Sequence, residues 1–384
     1  MTNLPDWYQP YFPELREGPP WVTEDMVALE PSLARIVEEV AEPAVEVSSL
    51  VRRAWEEGKP VTVSGSGTSE YAAQAVAEIL DDALRGVGAP GGVVEARESF
   101  DSSADPRGGV LIAVSHGGRS RVAVEALEAA RSAGATTVLI TAAGADTPVA
   151  LAADVRIDLS VADRSFCHTI GYLSPILVAT AVGAAISSQP TDRPALEAHL
   201  EASHATAEAA TRVAGGLHGA RLHLIAGSGA DAPAARELSL KIEEAVRVPA
   251  AMRGLETLQH GHLVPADGST SAVLIVADRR DRDRRSERAR TALRACRRLD
   301  MPTALIATSD VAAGIEAELT TAGTIVIPDL EAAPAPVSAL LATALALQQL
   351  TIGLVHLAGV NPDLIRREEE PYRDAAALTD AKIR

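Results

Sequence analysis

Three charged residues and a histidine in the second half of the chain have the types and spacing needed for proton transfer. Glu237, Lys241 and Glu244 follow one another at intervals of four and three residues, so a helix would project all three from one face. His260 follows 16 residues after Glu244. A carboxylate, a lysine and an imidazole can open a sugar ring and move a proton between adjacent carbons. The alternative is an ion pair on a helix with an unrelated surface histidine, and spacing alone favours this alternative.

Two glycine-rich turns in the first half could hold an anion. Gly65-Ser-Gly-Thr-Ser69 and Ser115-His-Gly-Gly-Arg-Ser120 each follow a strand-like run and open a segment with helical periodicity. At such turns, helix N-termini offer free amide groups, and small residues let the backbone approach a phosphate. The hydroxyl donors are Ser66, Thr68, Ser69, Ser115 and Ser120, and Gly67 and Gly117 lie in the same loops. A plain strand-to-helix turn is the alternative for each loop. Neither loop matches a nucleoside triphosphate or full dinucleotide motif.

Other reactive side chains give weaker signals. Cys167 and His168 are adjacent in sequence, and the side chains of adjacent residues rarely face each other. A buried structural cysteine is therefore expected. His260 and His262 could ligate a metal, but no third ligand stands at a recognised spacing. We therefore expect no metal and no cofactor. The run from Arg279 to Arg288 mixes arginines with acids and predicts a solvated helix start.

The elements that position these residues occur twice in the chain. The run Val61 to Gly67 recurs as Leu222 to Gly229, which aligns Gly65 with Gly227. Further strand-like runs recur in the same order, at 110–114, 137–141 and 155–159 and again at 273–276, 303–307 and 325–328. Strands that alternate with helical segments predict parallel sheets covered on both faces. The predicted fold class is therefore α/β, with two tandem three-layer α/β/α domains that are related by internal duplication.

The duplicated loops differ in charge. In the second half the equivalent turns carry Asp231 and Asp278, so we expect only the first repeat to keep an anion site. Boundaries follow from composition: an N-terminal arm and lead-in helix over 1–44, a first domain over 45–194, a second over 195–358 and a polar tail over 359–384. Pro190 and Pro194 mark a linker at 187–194, and a helix is predicted over 195–214.

Length and composition exclude several classes of protein. The 384 residues predict about two domains. A net charge of −17 argues against nucleic-acid binding, and two cysteines exclude a disulfide framework. The N-terminus lacks the features of a secretory signal, so a cytoplasmic protein is expected. The apolar stretches at 173–186 and 337–359 are predicted to be buried helices rather than membrane spans.

The motifs also occur in a recognisable order. Gly-Ser-Gly-Thr-Ser, Val-Ser-His-Gly-Gly-Arg-Ser, Glu-x-x-x-Lys-x-x-Glu, Gln-His-Gly and Asn361-Pro-Asp363 follow one another between about residues 25 and 370. This ordered set resembles the double sugar isomerase (SIS) domain proteins, which include the isomerase half of glutamine-fructose-6-phosphate amidotransferase and the amino-sugar phosphate deaminases.

The resemblance implies a role for each matching position. It gives phosphosugar contacts to the first-half loops, namely Ser66, Thr68, Ser69, Ser115, His116 and Ser120. Glu244 would carry the proton, supported by Glu237 and Lys241 on the same helix face, and His260 would open the ring from the neighbouring subunit of a homodimer with shared sites. His168 and Thr169 lie where the family's first domain closes over its ligand. Gly117 replaces a family serine, and Arg367 stands where the amidotransferase has a lysine that forms an imine, which a guanidinium cannot do.

These observations lead to an expected function with alternatives. We expect aldose–ketose isomerisation or deaminating isomerisation of a (2-amino-)hexose phosphate by proton transfer between C1 and C2, with the direction of any ammonia step left open. The alternative is a non-catalytic regulatory protein that binds a sugar phosphate, which Gly117 and Arg367 favour. A third possibility is a ligand without phosphate. We expect neither a nucleic acid nor a membrane as partner.

Overall fold

The computed structural model describes residue 16, residues 18–88 and residues 91–379. By contacts, the chain divides into two compact units. The first unit contains residues 32–163, 170–197 and the described residues from 369 onward. The second unit contains the described residues up to 31 together with 164–169 and 198–368. The beginning of the arm and lead-in helix expected over 1–44 lies outside the described residues.

The described residues form ten strands and fifteen α-helices. The strands are β1 Val61–Gly65, β2 Val94–Glu98, β3 Gly109–Val114, β4 Ala135–Thr141, β5 Val155–Asp158, β6 Leu222–Ala226, β7 Ala250–Arg253, β8 Thr270–Val276, β9 Thr303–Thr308 and β10 Gly323–Ile327. The helices are α1 Val22–Leu29, α2 Ile36–Glu39, α3 Ala41–Glu56, α4 Thr68–Gly86, α5 Ser99–Ala104, α6 Arg121–Ser132, α7 Pro148–Ala152, α8 Ile170–Ile186, α9 Arg193–His204, α10 Ala207–Leu217, α11 Asp231–Lys241, α12 Arg282–Arg298, α13 Ser309–Ala313, α14 Ala335–Ala358 and α15 Glu370–Thr379. Short 3-10 turns lie at 30–35, 257–259, 317–319 and 362–364.

Each unit is built on a five-stranded parallel sheet, and the two sheets have the same strand order. In the first unit the order is β2-β1-β3-β4-β5, and in the second it is β7-β6-β8-β9-β10. In both sheets the first strand along the chain has its neighbours on opposite sides, so the chain changes direction across the sheet at that strand. The predicted α/β fold class with internal duplication is confirmed.

Helices cover these sheets, because parallel strands are joined by crossover connections that are usually helical. The central strands β1, β3, β8 and β9 are almost wholly buried, as their continuous apolar sequences predict. In the first unit α4 packs against α8, whose residues are apolar and buried nearly all round. The expected burial of the 173–186 stretch is therefore confirmed.

Helix α14 is the element most like a membrane span by composition. Its 24 residues are long and apolar enough to cross a bilayer, but 94% of its most apolar window is buried inside the protein. It packs against α10 and α11 in the second unit. The helix is therefore part of the core, as the sequence predicts for the 337–359 stretch.

Several predicted elements differ from the structure. The helix predicted over 195–214 is two helices, α9 and α10. Near the break, the hydroxyls of Ser203 and Thr206 donate to the carbonyls of His199 and Ser203. The polar tail contains α15, and the lead-in contains α1, α2 and a 3-10 turn before α3. The edge strands β2 and β7 were not predicted, because their residues are only half-buried and carry no long apolar run.

Candidate functional site

The loop after β1 leaves open space above its backbone. A side chain at Gly65 would overlap the carbonyl of Ser69, so this glycine is required where the strand turns into α4. Gly67 precedes the helix with φ of +59°, a conformation that favours glycine, and a side chain there would meet nothing within 4 Å. Ser66 and Gly67 are exposed, Ser69 is half-buried and Thr68 is 9% exposed. The loop is therefore accessible at the N-terminus of α4.

The loop after β3 is similarly open at one position. A side chain at Gly117 would meet nothing within 4 Å, whereas one at Gly118 would overlap Ala143. Ser115 is buried, and its carbonyl accepts a hydrogen bond from the Thr141 hydroxyl. Ser120 caps α6 by accepting the backbone N–H of Ala123 at 3.3 Å. The hydroxyl oxygen of Ser120 therefore has a structural role, and this bond does not use the hydroxyl proton.

These two loops follow neighbouring strands at the same edge of the first sheet. β1 pairs with β3 on one side and with β2 on the other, so the loops lie where the strand order reverses. Crevices at such points, beyond the carboxyl ends of the strands, are the preferred ligand sites of open parallel sheets. The helix N-termini there direct amide groups and partial positive charge outward. The two loops together can hold a small anion.

His116 lies behind the second loop. Its ring is 4% exposed, and its Nε2 accepts the backbone N–H of Asp163 at 2.7 Å. A carboxylate oxygen of Asp163 accepts the N–H of Gly171 at the start of α8. An Nε2 that accepts leaves the proton of a neutral ring on Nδ1. The histidine thus connects the loop to the segment before α8, and its expected contact with substrate stays a prediction.

The duplicated loop in the second unit is filled by its own chain. Gly229 has a positive φ of +62°, and its counterpart Gly67 in the first unit has +59°, but a side chain at Gly229 would overlap the guanidinium of Arg285. Arg285 donates to the carbonyl of Ser228 and lies 3.4 Å from Asp278. The expectation that only the first repeat keeps an anion site stays a prediction.

Buried acids hold this arginine cluster. Asp231 is fully buried and accepts the backbone N–H groups of Ala277 and Asp278 at 3.1 and 3.0 Å. Burial, reinforced by the nearby Asp278, raises the pKa of Asp231 to about 7. Arg280 pairs with Asp278 at 2.8 Å. The predicted helix start at 279–288 is observed, because α12 begins at Arg282 and every residue of the run is at least partly exposed. The arginines of the run also pair with acids outside it, such as Asp278.

The predicted acid-base residues lie together at the end of α11. Nζ of Lys241 is 2.7 Å from Oε2 of Glu244 and 3.5 Å from Oε1 of Glu237. Lys241 and Glu237 are fully buried, whereas the side chain of Glu244 is 27% exposed. Burial opposes the charge of Lys241, but the two carboxylates outweigh it and hold the pKa of Lys241 well above its ordinary value. This is a buried ion triad rather than the exposed helix pair of the alternative interpretation.

Glu244 lies in an unusual piece of backbone. Residues Ile242–Val246 form a π-helical turn, and the N–H of Arg247 closes it by donating to the carbonyl of Ile242 at 3.0 Å. Such turns are rare in proteins and occur frequently at functional sites. Arg247 then ends the helix in the left-handed region, with φ of +65°. The turn carries the one member of the triad that reaches the surface.

His260 is placed apart from this triad. Its side chain is 69% exposed, and its Nε2 lies 2.7 Å from Oε1 of Glu256. Glu256 also pairs with Arg288 at 2.8 Å. Among the residues that the structure describes, Glu256 is the ionic partner of His260, and the structure does not bring the histidine to Glu244.

The segment 164–169 belongs to the second unit and lines the triad. Cys167 is fully buried within the electrostatic reach of Lys241, Glu244, Asp363 and Glu237, and burial raises the pKa of its thiol well above the ordinary value. The expectation of a structural rather than nucleophilic cysteine fits this environment. Thr169 is fully buried and His168 is half-buried. Their expected contact with substrate stays a prediction.

Sequence reasoning missed a contact between this segment and the C-terminal end of the second unit. The guanidinium of Arg367 lies over the ring of Phe166, 4.5 Å from its centroid. The chain reaches Arg367 through two left-handed residues, Ile365 with φ of +37° and Arg366 with φ of +62°. No local pattern signals a pair of residues so far apart in the chain.

Comparison with known proteins gives a likeness in structure only. No protein-family model matches the chain, and no curated protein matches it in sequence. Among solved structures, the C-terminal domain of glucosamine-fructose-6-phosphate aminotransferase from Francisella tularensis superposes with a TM-score of 0.73 at 15% identity, covering 90% of this chain and 98% of that one.

Two other solved structures give a similar result. Tagatose-6-phosphate ketose/aldose isomerase from Escherichia coli has a TM-score of 0.71 at 18% identity, with 90% of this chain and 95% of that chain covered. Glucosamine-6-phosphate deaminase from Thermotoga maritima has a TM-score of 0.66 at 14% identity, with 89% and 97% covered. The likeness extends over nearly the whole chain and shows the fold, which is that of two tandem SIS domains.

Proposed function

We propose that this chain, which has the double SIS fold, binds a hexose phosphate or 2-amino-hexose phosphate. It would move a proton between C1 and C2 of that sugar. The reaction would be an aldose–ketose isomerisation or a deaminating isomerisation. The observation that carries the proposal is the buried triad of Glu237, Lys241 and Glu244, in which Glu244 reaches the surface. A buried ion triad stabilises a fold poorly, so its presence favours a chemical role.

Glu244 has the geometry of a proton carrier. Its Oε2 is fixed by the ammonium of Lys241 at 2.7 Å, and the side chain is 27% exposed. As a general base it would take the proton from C2 of the open-chain sugar and return it to C1 through an enediol intermediate. Lys241 orients the carboxylate, and Glu237 balances the charge of Lys241 inside the protein.

The phosphate would be held by the two open loops of the first unit. Their exposed glycines, Gly67 and Gly117, admit an anion to backbone N–H groups, and the hydroxyls of Ser66 and Ser69 add donors. The contrast with the loop at Gly229 supports this assignment, because Arg285 occupies the space that is open at Gly67. The three compared structures carry names of phosphosugar enzymes, which is consistent with a phosphorylated ligand.

The ring-opening role proposed for His260 needs a second copy of the chain. The imidazole is exposed and pairs with Glu256, so it is available to a neighbouring molecule. We therefore propose a homodimer with shared active sites, and a cytoplasmic location in keeping with the buried thiols of Cys167 and Cys296.

Proton exchange tests the chemistry directly. The protein is incubated in deuterated water with glucose 6-phosphate, fructose 6-phosphate or glucosamine 6-phosphate, and exchange at C1 and C2 is followed by NMR. We expect exchange with the wild-type protein and its loss in Glu244→Gln. Glu243→Gln is the matched control, because Glu243 is the exposed neighbour on the same turn. Ammonia formed from glucosamine 6-phosphate would identify a deaminase.

A regulatory protein that binds a sugar phosphate without turnover is the second candidate. The pairing of His260 with Glu256 instead of Glu244 favours it. Saturable binding of a sugar phosphate, with no exchange at C1 or C2 by the dimeric protein, would replace the enzyme proposal with this one. Exchange that continues unchanged in Glu244→Gln would remove Glu244 from the mechanism.

A further inference from the structure

The carboxyl end of strand β7 carries an arginine that no acid neutralises. Arg253 is the last residue of β7, and its side chain is half-buried. Its Nε donates to Nδ1 of His262 at 2.9 Å, and its Nη1 donates to the carbonyl of Met252 at 2.7 Å. Among the residues that the structure describes, Arg253 forms no ion pair with a carboxylate. A partly desolvated positive charge is therefore left without a counter-charge.

Two polar atoms of this arginine–histidine pair are open to a ligand. Because a guanidinium can only donate, Nδ1 of His262 is the acceptor, and the proton of a neutral ring lies on Nε2. Within the described part of the chain, neither this Nε2 nor Nη2 of Arg253 has a hydrogen-bond partner, and neither atom is fully buried. The pair therefore presents free N–H groups from two planar side chains that already hold each other in place.

The pair lies at the edge of the second sheet where parallel sheets bind their ligands. Strand β6 has β7 on one side and β8 on the other, so the strand order reverses at β6. Arg253 lies opposite Ala226, the last residue of β6, and its carbonyl accepts the N–H of Gly227. The hydroxyl oxygen of Ser228 accepts the N–H of Leu255 at 3.0 Å. These bonds fix the end of β7 to the loop that follows β6.

The acids of this region already have cations of their own. Glu256 pairs through one carboxylate oxygen with His260 and through the other with Arg288. In the loops beyond β6, two arginines face two acids, namely Arg280 and Arg285 with Asp278 and Asp231. The arginine at the end of β7 therefore leaves one positive charge for a ligand to balance.

We propose that Arg253 and His262 form a binding site for the carboxylate of a small organic acid. The remaining N–H groups of the guanidinium lie in one plane and match the oxygens of a planar carboxylate, and the imidazole adds a further donor. A carboxylate monoanion balances the single positive charge, whereas a phosphate dianion would leave one negative charge unbalanced. Half-burial of both side chains strengthens this attraction relative to an open surface. Side chains supply the donors here, in contrast to the glycine loops.

The site is separate from the acid-base triad. Strand β7 begins at Ala250, whose N–H donates to Glu243, the neighbour of Glu244, at 3.2 Å. Arg253 ends the same four-residue strand, which spans about 10 Å. The site and the triad thus lie at opposite ends of β7. Binding of a small acid, rather than turnover, is the direct readout of this site.

Imidazole NMR tests the site directly. The protein is labelled with ¹⁵N in its nine histidines, and the His262 signals are assigned by their loss in His262→Phe. Titration with acetate or glucuronate should shift the Nε2 signal of His262 saturably, and inorganic phosphate should bind there more weakly. Tighter binding of glucuronate than of acetate would assign the carboxylate to a sugar acid, and equal affinity would assign it to a simple organic acid.

Matched variants separate carboxylate recognition from net charge. In calorimetric titration, Arg253→Gln should weaken glucuronate binding about 10- to 100-fold, the range for charge-assisted hydrogen bonds. Arg253→Lys keeps the charge without the planar fork and should fall between this variant and the wild type. Arg221→Gln removes the same charge from an exposed arginine of the same unit and should keep the wild-type affinity. His262→Phe removes the imidazole donor and provides an independent test where Arg253→Gln fails to fold.

Three results would overturn the proposal. Absence of a saturable His262 shift with both carboxylates in the wild type would show that no site exists there. Glucuronate affinity that is unchanged in Arg253→Gln would remove the arginine from the site. Phosphate binding at His262 as tight as glucuronate binding would overturn the choice of a carboxylate. None of these results depends on turnover, so the proposed function is tested separately.

Discussion

Asp363 caps helix α1 from the other end of the chain. Its Oδ2 accepts the backbone N–H of Val22 at 2.8 Å, across 341 residues of sequence. The same carboxylate accepts the N–H of Thr23, and the Thr23 hydroxyl donates to it at 2.6 Å. Trp21 occupies the position before the helix, and its indole side chain cannot accept hydrogen bonds from these N–H groups. A buried carboxylate therefore replaces the local cap and fixes α1 against the turn that leads to Arg367.

Removal of this cap should destabilise the protein measurably. Asp363→Ala leaves the first N–H groups of α1 without their acceptor, at a cost of about 1–2 kcal/mol in the free energy of unfolding. A thermal midpoint lower by a few degrees is expected in differential scanning calorimetry. The control is Asp374→Ala, since Asp374 is exposed on α15. An equal midpoint in both variants would show that the long-range cap contributes nothing.

Lys241 should be essential for the stability of its own unit. Lys241→Met leaves Glu237 buried without its cation and should cost about 3–5 kcal/mol in urea unfolding. The double variant Glu237→Gln with Lys241→Met should be more stable than Lys241→Met alone, because the fully buried side chain at 237 is then neutral and only the partly exposed Glu244 lacks its cation. Additive losses in the two single variants would contradict coupling between these residues.

The free energy of unfolding should depend on pH in part through the ionisation of Asp231. Its pKa is raised to about 7 when folded, whereas the unfolded value is the ordinary one near 3.8. Between these two values the folded protein binds more protons at this site than the unfolded chain, so stability falls as the pH rises. The stabilisation is fully present below about pH 4 and is lost through pH 7.

Asp231→Asn isolates this contribution. The amide keeps an acceptor for the N–H groups of Ala277 and Asp278 and imitates the protonated acid. The variant should therefore gain stability relative to the wild type between pH 5.5 and pH 8, measured as the difference in urea midpoint. A constant difference across this range would show that Asp231 is ionised throughout.

The open loop at Gly67 should be required for anion binding. Gly67→Asp places a carboxylate in the space above the helix N-terminus and should abolish saturable binding of inorganic phosphate in calorimetric titration. Gly58→Asp is a matched control, because Gly58 also has positive φ and open space but lies in the turn before β1. Phosphate binding that survives Gly67→Asp would remove this loop from the site.

Much of the architecture could be predicted from sequence because it depends on local periodicity. Buried parallel strands such as β1 and β8 are continuous apolar runs, and the repetition of Gly65 at Gly227 shows the duplication directly. The common face of Glu237, Lys241 and Glu244 follows from helical spacing. The half-buried edge strands β2 and β7 could not be predicted, since an unpaired edge does not demand apolar residues.

The tertiary structure determines which groups surround each of the candidate site residues. Gly67 and Gly229 have the same local sequence setting, yet one loop is open and the other is filled by Arg285, which approaches from a different helix. Burial of the triad, capping of α1 by Asp363 and support of Arg367 by Phe166 depend in the same way on segments far apart in sequence. Periodicity fixes the face on which a side chain lies, but its charge environment is set by the residues that the fold brings opposite it.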